Sequence, residues 1–366
     1  MKTGIQIELL NAKKVLSYTE FPKVEIKYDA DAFKSFEPDE PFNGRVTGVS
    51  ISMEELNWNT LQSCIQFLKQ CKGTYLVVST MDTEEITDDF RQLLVCCCAK
   101  VAECGIFILV ENGCKKQSED FYCNTAFSGA EGLRELLDDV KKELPEANIG
   151  ICFNTGIANL TGRNMRALME DMGNLIRLIH VNDNDGMHDL RQLPYSFTTG
   201  RGKKSTDWMR FVGQLVRQNY DSYLVFDTEG LFACAPEPLH PVFCQLLYGI
   251  YQEWESRFCF EKKLQKEKQG LILFGAGQMA GHYIQRWGGK YPPVCLTDNN
   301  KALWGRKVYG YDIIAPVELL EEPYCNFRVV ICNQYYTQIR RQLEEMGIAY
   351  AVSYTHLRAH ETAANL

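Results

Sequence analysis

The chain lacks an excess of positive charge. Lysine and arginine number 39 against 47 acidic residues, for a net charge of −8. No polybasic block or tail offsets that balance, so tight binding to a nucleic acid backbone is not expected. Long apolar runs are missing too. The longest stretches, such as Leu93–Ala99 and Ile106–Val110, fall far short of the ~20 residues that a membrane span needs. At the amino end Glu8 stands where a secretory signal would be apolar, and the expected location is the cytoplasm. Paired cysteines are also missing. There are 15 cysteines, an odd number, with no C-x-x-C pair and with Cys96, Cys97 and Cys98 consecutive. Disulfide scaffolds and structural zinc sites need spaced or paired thiols, so these are read as reduced thiols packed as small apolar groups.

Apolar runs bounded by turn residues recur along the first two thirds of the chain: Ile5–Leu9, Lys23–Tyr28, Val46–Ile51, Tyr75–Ser79, Ile106–Val110, Ile149–Phe153, Ile176–Val181 and Tyr223–Phe226. Amphipathic stretches such as Met53–Lys72, Glu84–Glu103, Ala130–Leu144, Arg163–Leu175 and Asp207–Gln218 separate most of them. Buried parallel strands alternating with helices predict βαβ units. Eight of them in about 250 residues is the size of an α/β fold of the (β/α)8 TIM barrel type. Helices in the first two connections are expected to be missing or irregular.

A charge run, Glu261–Lys268, follows and reads as a solvated helix end or linker over residues 257–269. Residues 270–351 then predict a small doubly wound, Rossmann-like domain. Its strands are Leu271–Phe274, Val294–Thr297 and Val329–Cys332, with helices near Pro316–Glu322 and over Tyr335–Met346 and a last strand starting near Tyr350. Phe274-Gly275-Ala276-Gly277-Gln278-Met279-Ala280 has the G-x-G-x-x-A form of a dinucleotide turn. Its glycines let backbone N–H groups approach a pyrophosphate at a helix N-terminus. Asp298 follows at the distance of a ribose-binding acid, so Gly275, Gly277 and Asp298 are the candidate cofactor-binding residues. The expected ligand is a nucleotide or nucleotide-sugar, set against a purely structural unit.

In a barrel, polar residues at the carboxyl ends of strands are the site candidates. Four successive strands supply Glu111, Asn154, His180 and Asp227. Two carboxylates, an amide and an imidazole converging at one mouth have the composition of a divalent metal site.

Several segments resemble the xylose isomerase-like TIM-barrel superfamily of sugar isomerases, ketose epimerases and endonuclease IV nucleases, over residues 1–256. They are Val110-Glu111-Asn112, Cys152–Asn159, His180-Val181-Asn182-Asp183-Asn184-Asp185-Gly186, Asp189, Leu193-Pro194-Tyr195, Thr206-Asp207-Trp208 and Val225-Phe226-Asp227-Thr228. The resemblance implies Glu111, Asn154, His180 and Asp227 as ligands of one divalent ion (Mn, Mg or Zn). It implies Glu111 and Asp227 as the catalytic base and acid on a sugar carbon next to a carbonyl, and a small sugar or sugar phosphate as partner. Asp183, Asp189 and Arg191 are the substrate-binding candidates.

The departures from the family pattern are as informative. Asn154 replaces an aspartate, Ile157 and Arg191 replace metal-binding histidines, and Asp227 replaces a glutamate. The three-metal nuclease set is therefore broken, and no nucleic acid or membrane partner is expected. Asp227 is one methylene shorter than glutamate, a retreat of ~1.5 Å where a misplacement of ~1 Å can cost ~10²-fold in rate. The leading expectation is a metal-dependent sugar isomerase or epimerase with an eroded site. The alternative is a catalytically inactive carbohydrate-binding or scaffold barrel. A nucleotide-sugar oxidoreductase ranks last, because no Tyr-x-x-x-Lys follows the glycine turn. Arg191 is expected to pair with Asp189 or Asp227, or to receive an anionic group.

The end of the chain, Val352-Ser353-Tyr354-Thr355-His356-Leu357-Arg358-Ala359-His360-Glu361-Thr362, resembles the translation of a transposase adapter used for shotgun and metagenomic libraries. Residues 352–366 are accordingly expected to be an artefactual tail without packing, with the natural sequence truncated near Tyr350 and His356 and His360 removed from the ligand candidates.

Overall fold

A computed structural model describes residues 1–35, 42, 44–119, 121–197, 206–266, 270–348 and 350–353. The chain divides into two compact units, Met1–Tyr251 and Gln252–Leu366.

The first unit is a closed barrel of eight parallel strands. They are β1 (Lys2–Glu8), β2 (Lys23–Lys27), β3 (Val46–Ser52), β4 (Tyr75–Ser79), β5 (Phe107–Glu111), β6 (Ile149–Asn154), β7 (Ile176–Val181) and β8 (Tyr223–Phe226). β1 pairs with β8 to close it, Ile5 opposite Phe226. The connections carry α1 (Leu9–Tyr18), α2 (Ala30–Ser35), α3 (Trp58–Cys71), α4 (Asp88–Ala102), α5 (Ala130–Glu143), α6 (Thr155–Leu160), α7 (Met165–Met172) and α8 (Trp208–Arg217); α9 (Glu229–Cys234) follows the last strand, and α10 (His240–Lys266) begins in the first unit and ends in the second. The first two connections thus do contain helices: α1 buries Leu9, Ala12, Val15 and Leu16 and begins directly on β1 without a loop. Side-chain caps fix several starts. Asn57 closes a capping box at α3, Thr87 accepts from Phe90 N–H, and Asp207 accepts from Arg210 N–H. A short hairpin, Cys114–Ser118 with Phe121–Asn124, follows β5.

Alternate residues of a strand share a face. Tyr75, Val77, Leu109, Cys152, Leu178 and Val225 form one buried cluster, the apolar plug of the barrel. Two residues further along the same strands stand Glu111, Asn154, His180 and Asp227. Strand period therefore puts all four in the layer above the plug, at the carboxyl mouth.

The second unit is built on a mixed six-stranded sheet. Its strands are β9 (Leu271–Phe274), β10 (Pro293–Thr297), β11 (Lys307–Val308), β12 (Tyr311–Ile314), β13 (Arg328–Ile331) and β14 (Tyr350–Ser353). The order is β11-β12-β10-β9-β13-β14, parallel except for β11 against β12. Leu271, Leu273, Leu296 and Val330 pack on one face, and Ile272, Phe274, Cys295 and Ile331 on the other. Both faces are apolar, which is why these strands read as continuous hydrophobic runs. α11 (Gln278–Trp287) and α12 (Tyr336–Glu345) cover them. Near Pro316 the expected helix is a short 3-10 turn, Pro316–Leu320.

Two sequence expectations change. Of the two readings of the charge run, the helix end is the one found as far as Lys266, but it is not solvated throughout: Glu261 is 1% exposed, paired with Lys290 and near Tyr291. The tail boundary also moves. β14 pairs with β13 through Val352 and Ser353, two residues inside the segment expected to lack packing. Residues 354–366 lie outside the described part. Among the described residues no helix is long and apolar enough to cross a membrane.

Candidate functional site

Glu111 is the last residue of β5, and its side chain is buried. Its Oε1 lies 2.6 Å from His180 Nδ1 and accepts from Asn154 Nδ2 at 3.0 Å. On its other side, His180 Nε2 lies 3.0 and 3.2 Å from the two carboxylate oxygens of Glu25, a fully buried residue in the middle of β2. Gln6 Nε2 holds Glu25 Oε1 at 2.7 Å and Ser50 Oγ at 3.1 Å. The imidazole is thus bracketed by two carboxylates. Each ring nitrogen therefore has a carboxylate oxygen as its partner. Burial pulls the ring's pKa down, but the carboxylates of Glu25 and Glu111 push it the other way, and the net direction is upward. Burial likewise raises Glu111, yet the neighbouring His180 charge and hydrogen bonds from His180, Asn154 and Ser79 outweigh it and bring the carboxyl down to about 2.

Asn154 ends β6 and caps α6. Its Oδ1 accepts from Gly156 N–H at 3.0 Å, Ile157 N–H at 3.2 Å and Asn182 Nδ2 at 3.0 Å. The cap fixes which way the amide faces, so Nδ2 points at Glu111. The carbonyl oxygen expected as a metal ligand is turned into the helix instead. Gly156 is needed here because a Cβ would sit 1.8 Å from Asn182 Oδ1.

Asp227 follows β8 and is buried. Arg191 Nη1 reaches it at 3.3 Å, Arg191 Nε contacts Asp189 at 3.1 Å, and Nη1 lies 3.5 Å from Glu229. Burial raises the Asp227 carboxyl, and Arg191 only partly counters it. Asp227, first among its neighbours, raises Arg191 in turn. The expected pairing of Arg191 is therefore made with both aspartates at once. Glu229 is shared with Lys27 at 2.6 Å. The loop that carries Arg191 is pinned by a two-bond bridge between Asp183 and Gln192 and by Asp185, which accepts from Met187 and His188 N–H. Arg191 itself adopts φ of 43°, a region rare for side-chain-bearing residues.

Asp183, expected to touch substrate, is buried and accepts from Trp208 Nε1 at 3.2 Å and Asn184 N–H at 3.0 Å. It ties the loop to α8. Sequence reasoning missed Glu25. Its signal was a polar set, Lys23, Glu25 and Lys27, alternating with Val24 and Ile26 in a strand where burial on both faces was expected.

Among the described residues, Glu111, Cys152 and His180 form the one group of histidine, cysteine and acidic side chains whose ligand atoms lie within 4.8 Å of one another. The four expected ligands do not fit a divalent ion as they stand. Both ring nitrogens of His180 already face carboxylates, Asn154 Oδ1 is spent on the helix cap, and Asp227 holds a guanidinium. Burial pushes the Cys152 thiol up to about 12.

Beside this layer a cavity of about 150 Å³ is lined by Gln6, Tyr18, Lys27, Glu229, Phe232 and His240, among others. Gln6 connects it to Glu25, and Glu229 connects it to Arg191. Its two lysines are both engaged, Lys27 with Glu229 and Lys14 with Glu237.

In the second unit Gly275 has φ of 116° and a Cβ there would lie 2.4 Å from Cys332 O. Gly277 precedes α11 with no side-chain cap. Asp298 Oδ2 accepts from Ala276 N–H at 2.9 Å and Oδ1 from Asn300 N–H at 2.8 Å. The acid expected on a ribose is closed onto the glycine turn.

A family profile described as xylose isomerase-like TIM barrel matches residues 41–238, and one described as C2185-like, N-terminal, matches residues 267–351. Among solved structures the chain is similar to an L-ribulose 3-epimerase, at 13% identity and a TM-score of 0.55, covering 73% of this chain and 99% of that one. It is also similar to a D-tagatose 3-epimerase-like protein, at 18% identity and 0.48, covering 70% and 98%. A third is a 3-keto-D-glucoside 4-epimerase from E. coli, at 17% and 0.46, covering 68% and 99%. No curated protein matches the chain.

Proposed function

The chain belongs to the xylose isomerase-like TIM-barrel family, and from that membership we propose that its barrel binds a small uncharged sugar at the carboxyl mouth without metal-dependent isomerisation. The observation that carries the reading is the cavity beside Glu25 and Arg191. At roughly 10–15 Å³ per water position it holds about a dozen heavy atoms, the size of a monosaccharide. Its walls combine Phe232 and Tyr18 with the polar groups of Gln6, Asn11 and Glu229, an apolar surface with a few fixed hydrogen-bonding groups. Because Lys14 and Lys27 are each neutralised by a glutamate, a free sugar suits the site better than a sugar phosphate.

The test is isothermal titration with free ketoses, aldoses and their phosphates against the wild type and Glu229→Gln. The expected result is binding of a free sugar, weakened about tenfold in the variant, as for loss of one hydrogen bond to a charged group. Binding of sugar phosphates alone would sink the reading.

The convergence of Glu111, Cys152 and His180 favours a second reading, a metal-dependent epimerase. That reading requires solvent deuterium to enter a ketose incubated with protein and Mn²⁺.

For the second unit, the parallel order β12-β10-β9-β13-β14 supports a Rossmann-like assignment. A nucleotide or nucleotide-sugar ligand has less support, because Asp298 already occupies the Ala276 N–H that such a ligand's phosphate would use.

A further inference from the structure

We propose that the guanidinium of Arg191 has taken the place of a divalent ion's charge in this barrel and keeps such an ion out. The geometry carries the argument. His180 stands between Glu25 and Glu111, with both ring nitrogens turned to carboxylates. Arg191 stands between Asp189 and Asp227, with Glu229 at 3.5 Å. Asp189 and Asp227 therefore already face a guanidinium, and Glu25 and Glu111 already face the imidazole.

The replacement is fixed rather than loosely held. Arg191 is charged at every working pH, and its planar fork addresses two carboxylates at once. Its loop is anchored on both sides by the Asp183–Gln192 bridge and by Asp185. Asn154 completes the exclusion by presenting N–H, not oxygen, to Glu111. Five carboxylates, Glu25, Glu111, Asp189, Asp227 and Glu229, meet two fixed cations, Lys27 and Arg191, and the imidazole of His180. That excess still draws a divalent ion towards the mouth. What is missing is a set of free lone pairs to receive it, and removal of the guanidinium would return Asp189 and Asp227 to that set.

The inference rests on the family assignment and not on the sugar. Failure of every sugar to bind would leave it standing, and metal uptake by the wild type would leave sugar binding to be judged separately.

The experiment is equilibrium dialysis of the full chain against Mn²⁺, Co²⁺ and Zn²⁺ in turn, with bound metal measured by mass spectrometry. The proteins are the wild type, Arg191→Met, and Arg191→Met combined with Asn154→Asp, each checked for folding by circular dichroism. The expected result is no stoichiometric metal in the wild type and at least ~10-fold tighter Mn²⁺ or Co²⁺ binding in Arg191→Met or in the double variant. Should the double variant fail to fold, the single variant carries the comparison. One equivalent of Mn²⁺ or Co²⁺ in the wild type, lost in Glu111→Gln, would overturn the proposal. So would one equivalent of Zn²⁺ lost in Cys152→Ser. Folded variants that bind no better than the wild type would overturn the role given to Arg191.

Discussion

Glu25 and His180, 155 residues apart in sequence, meet at 3.0 Å inside the barrel, and neither is more than 1% exposed. β2 supplies one and β7 the other, so the contact spans the barrel rather than joining neighbouring strands. With either carboxylate removed, a buried ring nitrogen of His180 would lose its partner.

Glu25→Gln should therefore destabilise the first unit by about 3–5 kcal/mol, the usual cost of breaking one side of a buried ion pair. Urea unfolding followed by circular dichroism measures it. A loss under about 1 kcal/mol, the size of an exposed pair, would show that His180 does not depend on Glu25.

Acid titration should read the other carboxylate. Glu111 sits at about 2 when folded, against an ordinary value of 4.5. A depressed carboxyl stabilises the fold above its unfolded pKa, and that contribution is lost as pH falls from 4.5 through about 2. The size is roughly 3 kcal/mol. Glu111→Gln should flatten this part of the stability profile. An unchanged acid limb in the variant would contradict the assignment.

Asn154→Asp separates capping from charge. Aspartate caps as well as asparagine, so α6 should be retained. The donor to Glu111 disappears and a second carboxylate takes its place. We expect a loss of about 1–3 kcal/mol at neutral pH and a Glu111 pKa shifted upwards. Carbon-13 titration of the carboxyls reads the second effect. A variant as stable as the wild type, with Glu111 unmoved, would mean that the amide contributes nothing to that carboxylate.

Asp298→Ala distinguishes a structural acid from a ribose-binding one. With both oxygens on backbone N–H groups, its removal should lower stability by about 1.5–3 kcal/mol for each charge-assisted bond lost. Unchanged stability, together with loss in the variant of a nucleotide that the wild type binds, would assign Asp298 to a ligand instead.

Much of this was legible beforehand. The eight strands and the carboxyl-end positions of Glu111, Asn154, His180 and Asp227 follow from strand period, whereas the pairing of Arg191 was one of two outcomes expected from a family resemblance. Glu25 was hidden because it lies mid-strand, where only closure of the barrel makes an inward acid a partner for His180. The use made of Asn154 was hidden because it depends on a helix starting at the very next residue, Thr155. Burial of Glu261 was hidden because a charge run looks the same whether one face is solvated or all are. Only the packing of Phe260, Leu264 and Trp287 in one cluster reveals which side turns inward.

The cap at α6 also bears on how such a barrel changes over generations. Position 154 answers to two demands, a backbone one and a chemical one, and only the first is strict. Aspartate and asparagine start the helix equally well, so exchanging them alters the charge at the mouth while leaving the path of the chain untouched. A site of this kind can lose or regain a ligand by a single conservative step, with its architecture kept in reserve.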